Sequence, residues 1–294
     1  MAKHLLLSLL LLLAPYLMQA QDDLLDLAEA LDSTEAGYVS GTFKATRLVN
    51  GHSVETNGDQ ELLFLISHRF GTLNSGAYNL FGLDQATIRL ALEYGLTDRL
   101  TLGLGRSSLE KTYDGFAKYR ILRQLQGAMP VTVTGFSSLA IKTLEQQLPE
   151  RPTAFSSRLT YTHQLLIARK FTERLSLQLS PTWVHRNMVA TRQDENEVYA
   201  LGLGGRYKLT KRTSFNAEYY YLLPGETADQ YRNALAMGFD IETGGHVFQL
   251  IFTNAQGMVE KLFIPQTQGA WEEGDVYFGF NISRVFSLKK EGDW

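Results

Sequence analysis

The chain has 294 residues, a formal net charge of −3 and no cysteine. The lack of cysteine excludes a disulfide framework, thiolate metal sites and a lipidated N-terminal cysteine, and the slight negative charge predicts no nucleic-acid partner. Tyrosine and phenylalanine are plentiful, at 14 and 16 residues, while proline is sparse at 7, which is a mix typical of strands.

The first twenty residues have the pattern of a secretory signal peptide. Lys3 and His4 precede an apolar run from Leu5 to Leu13, and Ala20 offers a small residue for cleavage. An uncleaved anchor helix is the alternative, but Pro15 interrupts the run, which is shorter than the roughly 20 residues that a membrane span needs. We therefore predict a signal peptide over 1–20, an acidic leader over 21–40, a single β-barrel domain over 41–288 and a tail over 289–294.

Two segments before the first predicted wall strand are open to more than one interpretation. Asp22 to Leu31 fits either a short acidic amphipathic helix or a disordered leader. Gly41 to Leu48 alternates like a strand, but counting it would make the number of strands in the barrel odd. We interpret it as a plug or an interior segment.

Alternating runs that meet at short polar turns predict a series of β-hairpins. Around Asp98, for example, Tyr94 faces Leu102 and Leu92 faces Leu104, so the apolar faces of the two strands coincide. The same test succeeds around three further turns, and polar or small residues share the opposite face. The predicted pairs there include Ile167 with Leu179, Leu203 with Tyr219, and Phe239 with Leu250.

The fold class depends on which face of these strands points outward. A soluble barrel or β-sandwich would bury the apolar face, but the opposite face is rich in small residues such as Gly103 and Gly204, which is unusual for a solvent-exposed surface. Short turns also alternate with longer connections, as in outer-membrane barrels. We predict an all-β, antiparallel transmembrane β-barrel of about 12 strands (10–14), with short periplasmic turns and longer outer loops. The longer connections are 143–156, 188–197, 224–233 and 255–274.

The inward face carries a set of charged side chains that are candidates for solute binding in the lumen. One interpretation is a transverse field across a water-filled pore, with basic residues on one wall and acidic residues on the other. The alternative is that these charges pair across a narrow lumen and hold it shut, because a buried ion needs a partner. The residues are Arg89, Glu93, Lys118, Arg120, Arg206, Glu218 and Asp240.

The sequence offers no recognisable set of catalytic residues or metal ligands. Ser67 and His68 are neighbours on a strand, so their side chains point to opposite faces and cannot form a dyad. His163 and His185 come near each other on the outer face, where we place no carboxylate, and we interpret them as interfacial side chains rather than metal ligands. We predict no catalytic residue, no metal and no cofactor.

Three stretches carry a resemblance to a known family: GTFKATRLVNGHSVET (41–56), LISHRFGTLNSG (65–76) and a longer one over 81–124. They resemble the bacterial outer-membrane barrels grouped as domain of unknown function 5777. The resemblance implies a secreted, membrane-associated barrel and carries no catalytic assignment. It also singles out polar residues that we expect inside the barrel wall: His68, Arg69, Asp84, Arg106 and Asp114.

We predict a porin-like protein of the bacterial outer membrane that passes or binds small solutes. Its expected partners are the lipid bilayer, a small solute and the barrel-insertion machinery, which would recognise the aromatic final strand from Val276 to Leu288. One alternative is a non-conducting structural or accessory barrel that anchors periplasmic or surface partners. A second alternative is an outer-membrane lipid-modifying enzyme.

Overall fold

The computed structural model of this chain describes residues 37–144, 154–189 and 191–289. The predicted signal peptide and most of the predicted leader lie outside the described residues, as does the tail after Lys289. No helix in the described ranges is both long enough and apolar enough to cross a membrane.

Twelve antiparallel strands close into a barrel in which consecutive strands are neighbours. The last strand pairs with the first, with Ile66 opposite Ile282, so the barrel has no free edge. The predicted fold class and strand number are confirmed. The strands are Glu61–Thr72 (β1), Ala86–Thr97 (β2), Leu100–Ser107 (β3), Tyr113–Leu122 (β4), Thr132–Ile141 (β5), Leu159–Lys170 (β6), Leu175–Arg186 (β7), Glu197–Lys208 (β8), Thr213–Leu222 (β9), Ala234–Thr243 (β10), His246–Thr253 (β11) and Tyr277–Ser287 (β12).

The register of the four predicted hairpins is confirmed. Tyr94 lies opposite Leu102 and Leu92 lies opposite Leu104, as the alternation predicts. The other three hairpins keep their predicted partners along their length. One departure is local, because the register shifts after Gly95 and Thr97 then pairs with Leu100.

Three of the short turns repeat the sequence Thr-x-Arg, at 97–99, 172–174 and 210–212, and the threonine has a structural explanation. The Thr97 hydroxyl oxygen accepts hydrogen bonds from the backbone N–H groups of Arg99 and Leu100, at 3.2 and 3.1 Å. Thr172 and Thr210 accept the equivalent pair of bonds in the next two turns of this kind. In these three turns a threonine hydroxyl thus closes the chain reversal by accepting from two backbone donors.

The connections at the two ends of the barrel differ in length. The end that carries 98–99, 171–174, 209–212 and 244–245 is called the turn end here, and it also carries the longer connection 123–131. The opposite end, the loop end, carries 73–85, 108–112, 142–158, 187–196, 223–233 and 254–276. Short helices lie in the connections of the loop end: Glu226–Gln230 (α1), Glu260–Phe263 (α2) and 3-10 turns at Leu73–Ser75, Ala77–Gly82, Leu109–Lys111, Phe155–Arg158 and Trp271–Glu273.

Outward side chains of the strands are apolar and exposed, and inward ones are polar and buried. Leu92, Leu104 and Leu203 are half exposed or more, whereas Thr101 and Lys118 on the inner face are inaccessible. This is the reverse of a soluble barrel, because here the apolar side chains cover the outer surface of the barrel.

Two inserts fill the lumen. Residues 41–57, called the lumen hairpin, enter from the turn end, reverse at a tip over 48–51 and return to begin β1. Residues 254–276, called the mouth loop, fold back into the loop end. The interpretation of Gly41 to Leu48 as an interior segment is therefore confirmed, and these residues are not a wall strand.

Candidate functional site

The tip of the lumen hairpin is held by one carboxylate. Glu218, on the inner face of β9, accepts hydrogen bonds from the backbone N–H groups of Val49, Asn50 and Gly51, with a shortest distance of 2.7 Å to Asn50. Glu218 is buried. The three backbone donors offset part of the cost of burying this carboxylate and fix the tip in one position.

Amide side chains of the wall bind the backbone of the same tip. Gln249 on β11 donates to the carbonyl of Leu48 at 3.2 Å, and Asn281 on β12 donates to the carbonyl of Val49 at 3.2 Å. Asn281 also donates to the Gln249 side chain at 2.8 Å, so the two amides act together. The wall recognises the backbone of the tip here, independently of its side chains.

The Asn50 side chain extends this network toward the loop end. Its amide nitrogen donates to Thr253 Oγ1 at 3.1 Å, and its oxygen accepts a bond from Arg69 at 2.9 Å. Arg69 is fully buried and also contacts the Asn281 side chain at 3.3 Å. The sequence-predicted Arg69 therefore faces the lumen and holds the hairpin.

The returning arm of the hairpin is bound by β7 and β5. Gln178 accepts the backbone N–H of Val54 at 2.9 Å and donates to the carbonyl of His52 at 2.8 Å. Thr134 donates to the carbonyl of Val54 at 2.9 Å. Paired in this way, the arm satisfies its backbone groups much as an additional strand would.

One side of the lumen hairpin is apolar. Phe43, Leu48 and Val54 form a buried cluster with side chains of β4, β5 and β6. The ring of His52 lies against Phe116 and Phe136 of that wall, with centroid distances of 4.5 and 4.3 Å. The other wall residues of the cluster are Leu166 and Ala168.

Glycines of the inner face make room for these contacts. A Cβ placed on Gly204 would collide with the side chain of Leu48, and one placed on Gly51 would collide with the Tyr220 hydroxyl. Gly204 of β8 is therefore a position where the lumen hairpin approaches the wall closely.

Most of the seven predicted lumen charges are engaged by a neighbour. Arg89 forms a bidentate pair with Asp114, at 2.9 and 2.5 Å. Arg120 pairs with Glu55 of the hairpin at 3.4 Å, and Arg206 donates to the carbonyl of Gly41 at 3.1 Å.

The remaining three are buried as well. Lys118 points at the carbonyls of Ser53 and Thr46, at 3.3 and 3.4 Å. Asp240 accepts a bond from Gln249 at 2.9 Å. Within the described residues, the Glu93 carboxylate has no hydrogen-bonding partner, although Arg89 and Lys118 supply positive charge nearby. This arrangement fits the pairing interpretation better than an open field across a pore.

The two inserts meet at a buried ion pair. Arg47 of the lumen hairpin donates to Glu260 of the mouth loop at 2.8 Å, and both side chains are at most 4% exposed. His52 Nε2 lies 3.7 Å from the same Glu260 oxygen, which already accepts the shorter bond from Arg47. Burial, and then the positive charges of Arg47, Lys118 and Arg89, lower the pKa of His52 well below its ordinary value of 6.5, so its imidazole is neutral.

Three of the five residues singled out by the family resemblance are not inside the wall, and that expectation is wrong for them. His68 faces outward and stacks on Phe280, because Ser67 and Arg69 take the inward positions of β1. Asp84 lies exposed in the 73–85 connection, and Arg106 points outward at the loop end of β3, where its guanidinium lies over Tyr113. Arg69 and Asp114 do face the lumen.

The outward histidines His163 and His185 do share their face with a carboxylate, contrary to the sequence analysis. Glu197, at the first position of β8, contacts both His185 and the indole N–H of Trp183. We missed it because the predicted loop ran through residue 197, whereas the strand begins there. His163 stacks on Trp183, as expected of interfacial side chains.

Sequence reasoning singled out Glu218 and Arg69 but missed other groups that hold the hairpin in the lumen. Glu260 lies in a connection without alternation, and the N–H donors of Val49 to Gly51 are backbone groups that any sequence supplies. Two signals were available: the inward face is rich in small residues, and one alternating segment is left over after the wall strands are counted. Together they imply that a segment of the chain fills the lumen.

A family model described as a membrane bound beta barrel domain, domain of unknown function 5777, matches residues 43–286. A search of curated proteins gave no match. Among solved structures, a NanC porin has 11% identity and a TM-score of 0.48, covering 78% of this chain and 100% of that one. A KdgM porin has 11% identity, a TM-score of 0.46 and coverages of 76% and 99%. An outer membrane channel from Pseudomonas putida F1 has 16% identity, a TM-score of 0.46 and coverages of 83% and 100%.

Proposed function

We propose that this chain, which belongs to the family described as a membrane bound beta barrel domain (domain of unknown function 5777), is a closed outer-membrane barrel. Small polar solutes pass through it only when its inserts move. The lumen hairpin blocks the passage at rest. Release of the hairpin, together with movement of the mouth loop, would open it.

The observation that supports this proposal is the filled lumen. Val54, His52 and Ser53 of the hairpin are inaccessible to solvent although they lie in the lumen of the barrel. An open porin would leave such positions in contact with a water-filled channel. The barrel therefore fits a closed state better than a permanently open pore.

The way in which the hairpin is bound supports its release. Glu218 accepts hydrogen bonds from the tip, Gln249 and Asn281 donate to it, and these groups can form equivalent bonds with water once the lumen is wet. The net free energy of each such bond is only about 1 kcal/mol. A ligand that binds the open state modestly better than the closed state would then shift the population of barrels toward the open state.

A second candidate function is a non-conducting accessory barrel that presents its loops to other proteins. The mouth loop favours it, because Phe263 and Ile264 are fully buried in a core with β7 to β10 and so oppose opening of the loop end. Lipid modification, the third candidate function, has no supporting arrangement of side chains in the described residues. Its test is the release of fatty acid from detergent-dispersed phospholipid.

We also propose that the protein resides in the outer membrane of a bacterium after removal of residues 1–20. Membrane fractionation, heat-modifiable gel mobility and N-terminal sequencing of the mature chain test this location. Recognition of β12 by barrel-insertion machinery remains part of the same proposal.

Planar-bilayer conductance separates the gated barrel from the accessory barrel. We expect the wild type to be silent or to open rarely, and Glu218→Ala and a chain lacking 41–57 to show frequent unitary openings. Glu226→Ala, which changes an exposed carboxylate of α1, is the matched control.

Each outcome has a distinct meaning. Steady conductance of the wild type, equal to that of the deletion, would contradict the closed state. Silence of all three chains, with heat-modifiable mobility showing that each is folded, would favour the accessory barrel.

A further inference from the structure

A cavity of about 270 Å³ lies at the loop end, between the mouth loop and the 108–112 connection. Its wall is formed by Gln256, Gln266 and Leu262 of the mouth loop, and by Leu109 and Tyr231 of neighbouring connections. The volume lies just below the usual range for ligand pockets, about 300–1,000 Å³, which suits a ligand of about one sugar unit.

We propose that this cavity is a binding site for a neutral, polyhydroxylated molecule, such as a monosaccharide or the terminal unit of an oligosaccharide. The proposal deepens the proposed function, since it names the chemistry of the solute at the mouth. It does not require the lumen hairpin to move, so it stands or falls separately from gating.

The first argument comes from two glutamine side chains. Gln256 and Gln266 are half-buried and both line the cavity. No other residue in the described ranges forms a hydrogen bond with either side-chain amide. A carboxamide both donates and accepts, which matches a hydroxyl group that does the same. Asn254, by contrast, is fully used in holding the loop, since it bonds to Asn233, Gly269 and the N–H of Leu235.

The second argument comes from the one charged residue that lines the cavity, Glu110, which is already engaged by other groups. Glu110 pairs with Lys261 at 2.9 Å and with Lys142 at 2.5 Å. Burial alone would raise the pKa of Glu110, but these two ammonium groups outweigh it and lower that pKa, so the carboxylate stays ionised. Lys261 is buried and committed to this pair, so the polar groups left to a ligand are neutral.

The third argument comes from the aromatic and aliphatic wall. Tyr231 packs against the loop-end core and lines the cavity, and Leu109 and Leu262 lie beside it. Burial and the nearby Asp194 raise the pKa of Tyr231, so its hydroxyl is protonated and can both donate and accept. A sugar ring has C–H faces for such a wall and hydroxyl edges for the glutamines.

The test is saturation-transfer NMR and calorimetry on the full chain in detergent, with D-glucose and N-acetyl-D-glucosamine as probes. We expect saturable binding of at least one sugar. The double variant Gln256→Ala/Gln266→Ala should bind it about tenfold or more weakly, since two hydrogen bonds are lost. Gln85→Ala, an exposed glutamine of the 73–85 connection, is the matched control and should bind like the wild type.

A second double variant, Gln256→Glu/Gln266→Glu, keeps the side-chain size while removing both donors, and it should also bind more weakly. Heat-modifiable mobility checks that each chain is folded. Three results would overturn the proposal. They are the absence of saturable binding of both sugars, equal binding by both double variants and the wild type, and saturable binding of the dipeptide Gly-Gly where neither sugar binds. Because the wild type is used in its closed state, a failure of gating leaves this result unaffected.

Discussion

The two inserts fill one lumen by different means. At the loop end, the mouth loop is held by apolar packing, in which Phe263 contacts the ring of Tyr220 edge to face at a centroid distance of 5.3 Å. At the turn end, the lumen hairpin has an apolar side, but its tip is held by Glu218 and by the amides of Gln249 and Asn281. The two inserts therefore respond differently to water, because water can replace the hydrogen bonds of the hairpin tip but cannot replace the apolar contacts of the mouth loop.

This difference assigns separate roles to the two ends. The apolar core of the mouth loop stabilises the barrel and shapes the loop-end cavity. The polar binding of the hairpin tip makes it the part that is easier to release. Arg47 and Glu260 join the two, so release of the hairpin would leave a buried carboxylate in the mouth loop without its main partner.

The largest expected effect is at the loop end. Phe263→Ala removes a fully buried ring and should lower the free energy of unfolding by about 3–5 kcal/mol, because the cavity is only partly refilled. Urea unfolding of the detergent-solubilised barrel measures it. Phe155→Ala, at an exposed phenylalanine of the same end, should change stability by less than about 0.5 kcal/mol. Equal effects of the two substitutions would show that the mouth loop is not packed as described.

Glu218→Ala should have the next largest effect, and it should act on the hairpin. Three backbone donors would lose their acceptor, at a cost of about 1–3 kcal/mol. Hydrogen exchange of residues 46–53 should accelerate, while exchange in the mouth loop changes less. Glu218→Gln keeps one acceptor oxygen, so its exchange rate over 46–53 should lie between those of the wild type and Glu218→Ala. Unchanged exchange over 46–53 would show that the carboxylate does not hold the tip.

The coupling between the halves is expected to be smaller. A double-mutant cycle on Arg47→Met and Glu260→Gln should give an interaction energy of about 0.5–3 kcal/mol in urea unfolding. Lys142, half exposed at the edge of the Glu110 cluster, offers a control cycle with Glu260 that should give no coupling. Additive effects of the Arg47 and Glu260 substitutions would mean that the inserts are independent.

The smallest expected effect is a pH dependence that comes from His52. Its pKa is depressed in the closed state, mainly by burial, so the released state binds the proton more readily. The resulting stabilisation of the closed state is complete above the ordinary histidine pKa of 6.5 and is lost as the pH falls toward the depressed value. The protection factors of residues 46–53, which correct for the slower intrinsic exchange at low pH, should therefore fall on acidification. His52→Gln should remove that part of the pH dependence, and an identical pH profile for both chains would contradict the assignment.

Much of the barrel could be predicted from the sequence because strand alternation is a local property. The pair of Leu92 with Leu104 follows from a parity rule that a short stretch of chain is enough to apply. The interior position of Gly41 to Leu48 followed from strand parity. The threonine of each short turn was visible as a repeat, but its two hydrogen bonds to backbone donors needed the folded turn.

The candidate site was less predictable because its contacts join distant parts of the chain. Arg47 and Glu260 are 213 residues apart, and nothing near either one indicates its partner. Inward placement of Arg89 and Glu218 followed from parity, but Glu218 binds backbone groups, which carry no sequence signal. His68 was misplaced because the family-like motif was treated as a unit, although neighbouring residues of a strand face opposite sides.

Disulfide formation across the lumen tests most directly whether the hairpin occupies the membrane-inserted barrel. Leu48 Cγ lies 3.6 Å from the position that a Cβ on Gly204 would take, and the chain has no cysteine of its own. In membranes treated with a mild oxidant, Leu48→Cys/Gly204→Cys should form a disulfide nearly completely. Leu48→Cys/Leu203→Cys should not, because residue 203 faces the lipid. Two free thiols at positions 48 and 204, both open to a water-soluble maleimide, would contradict the closed barrel.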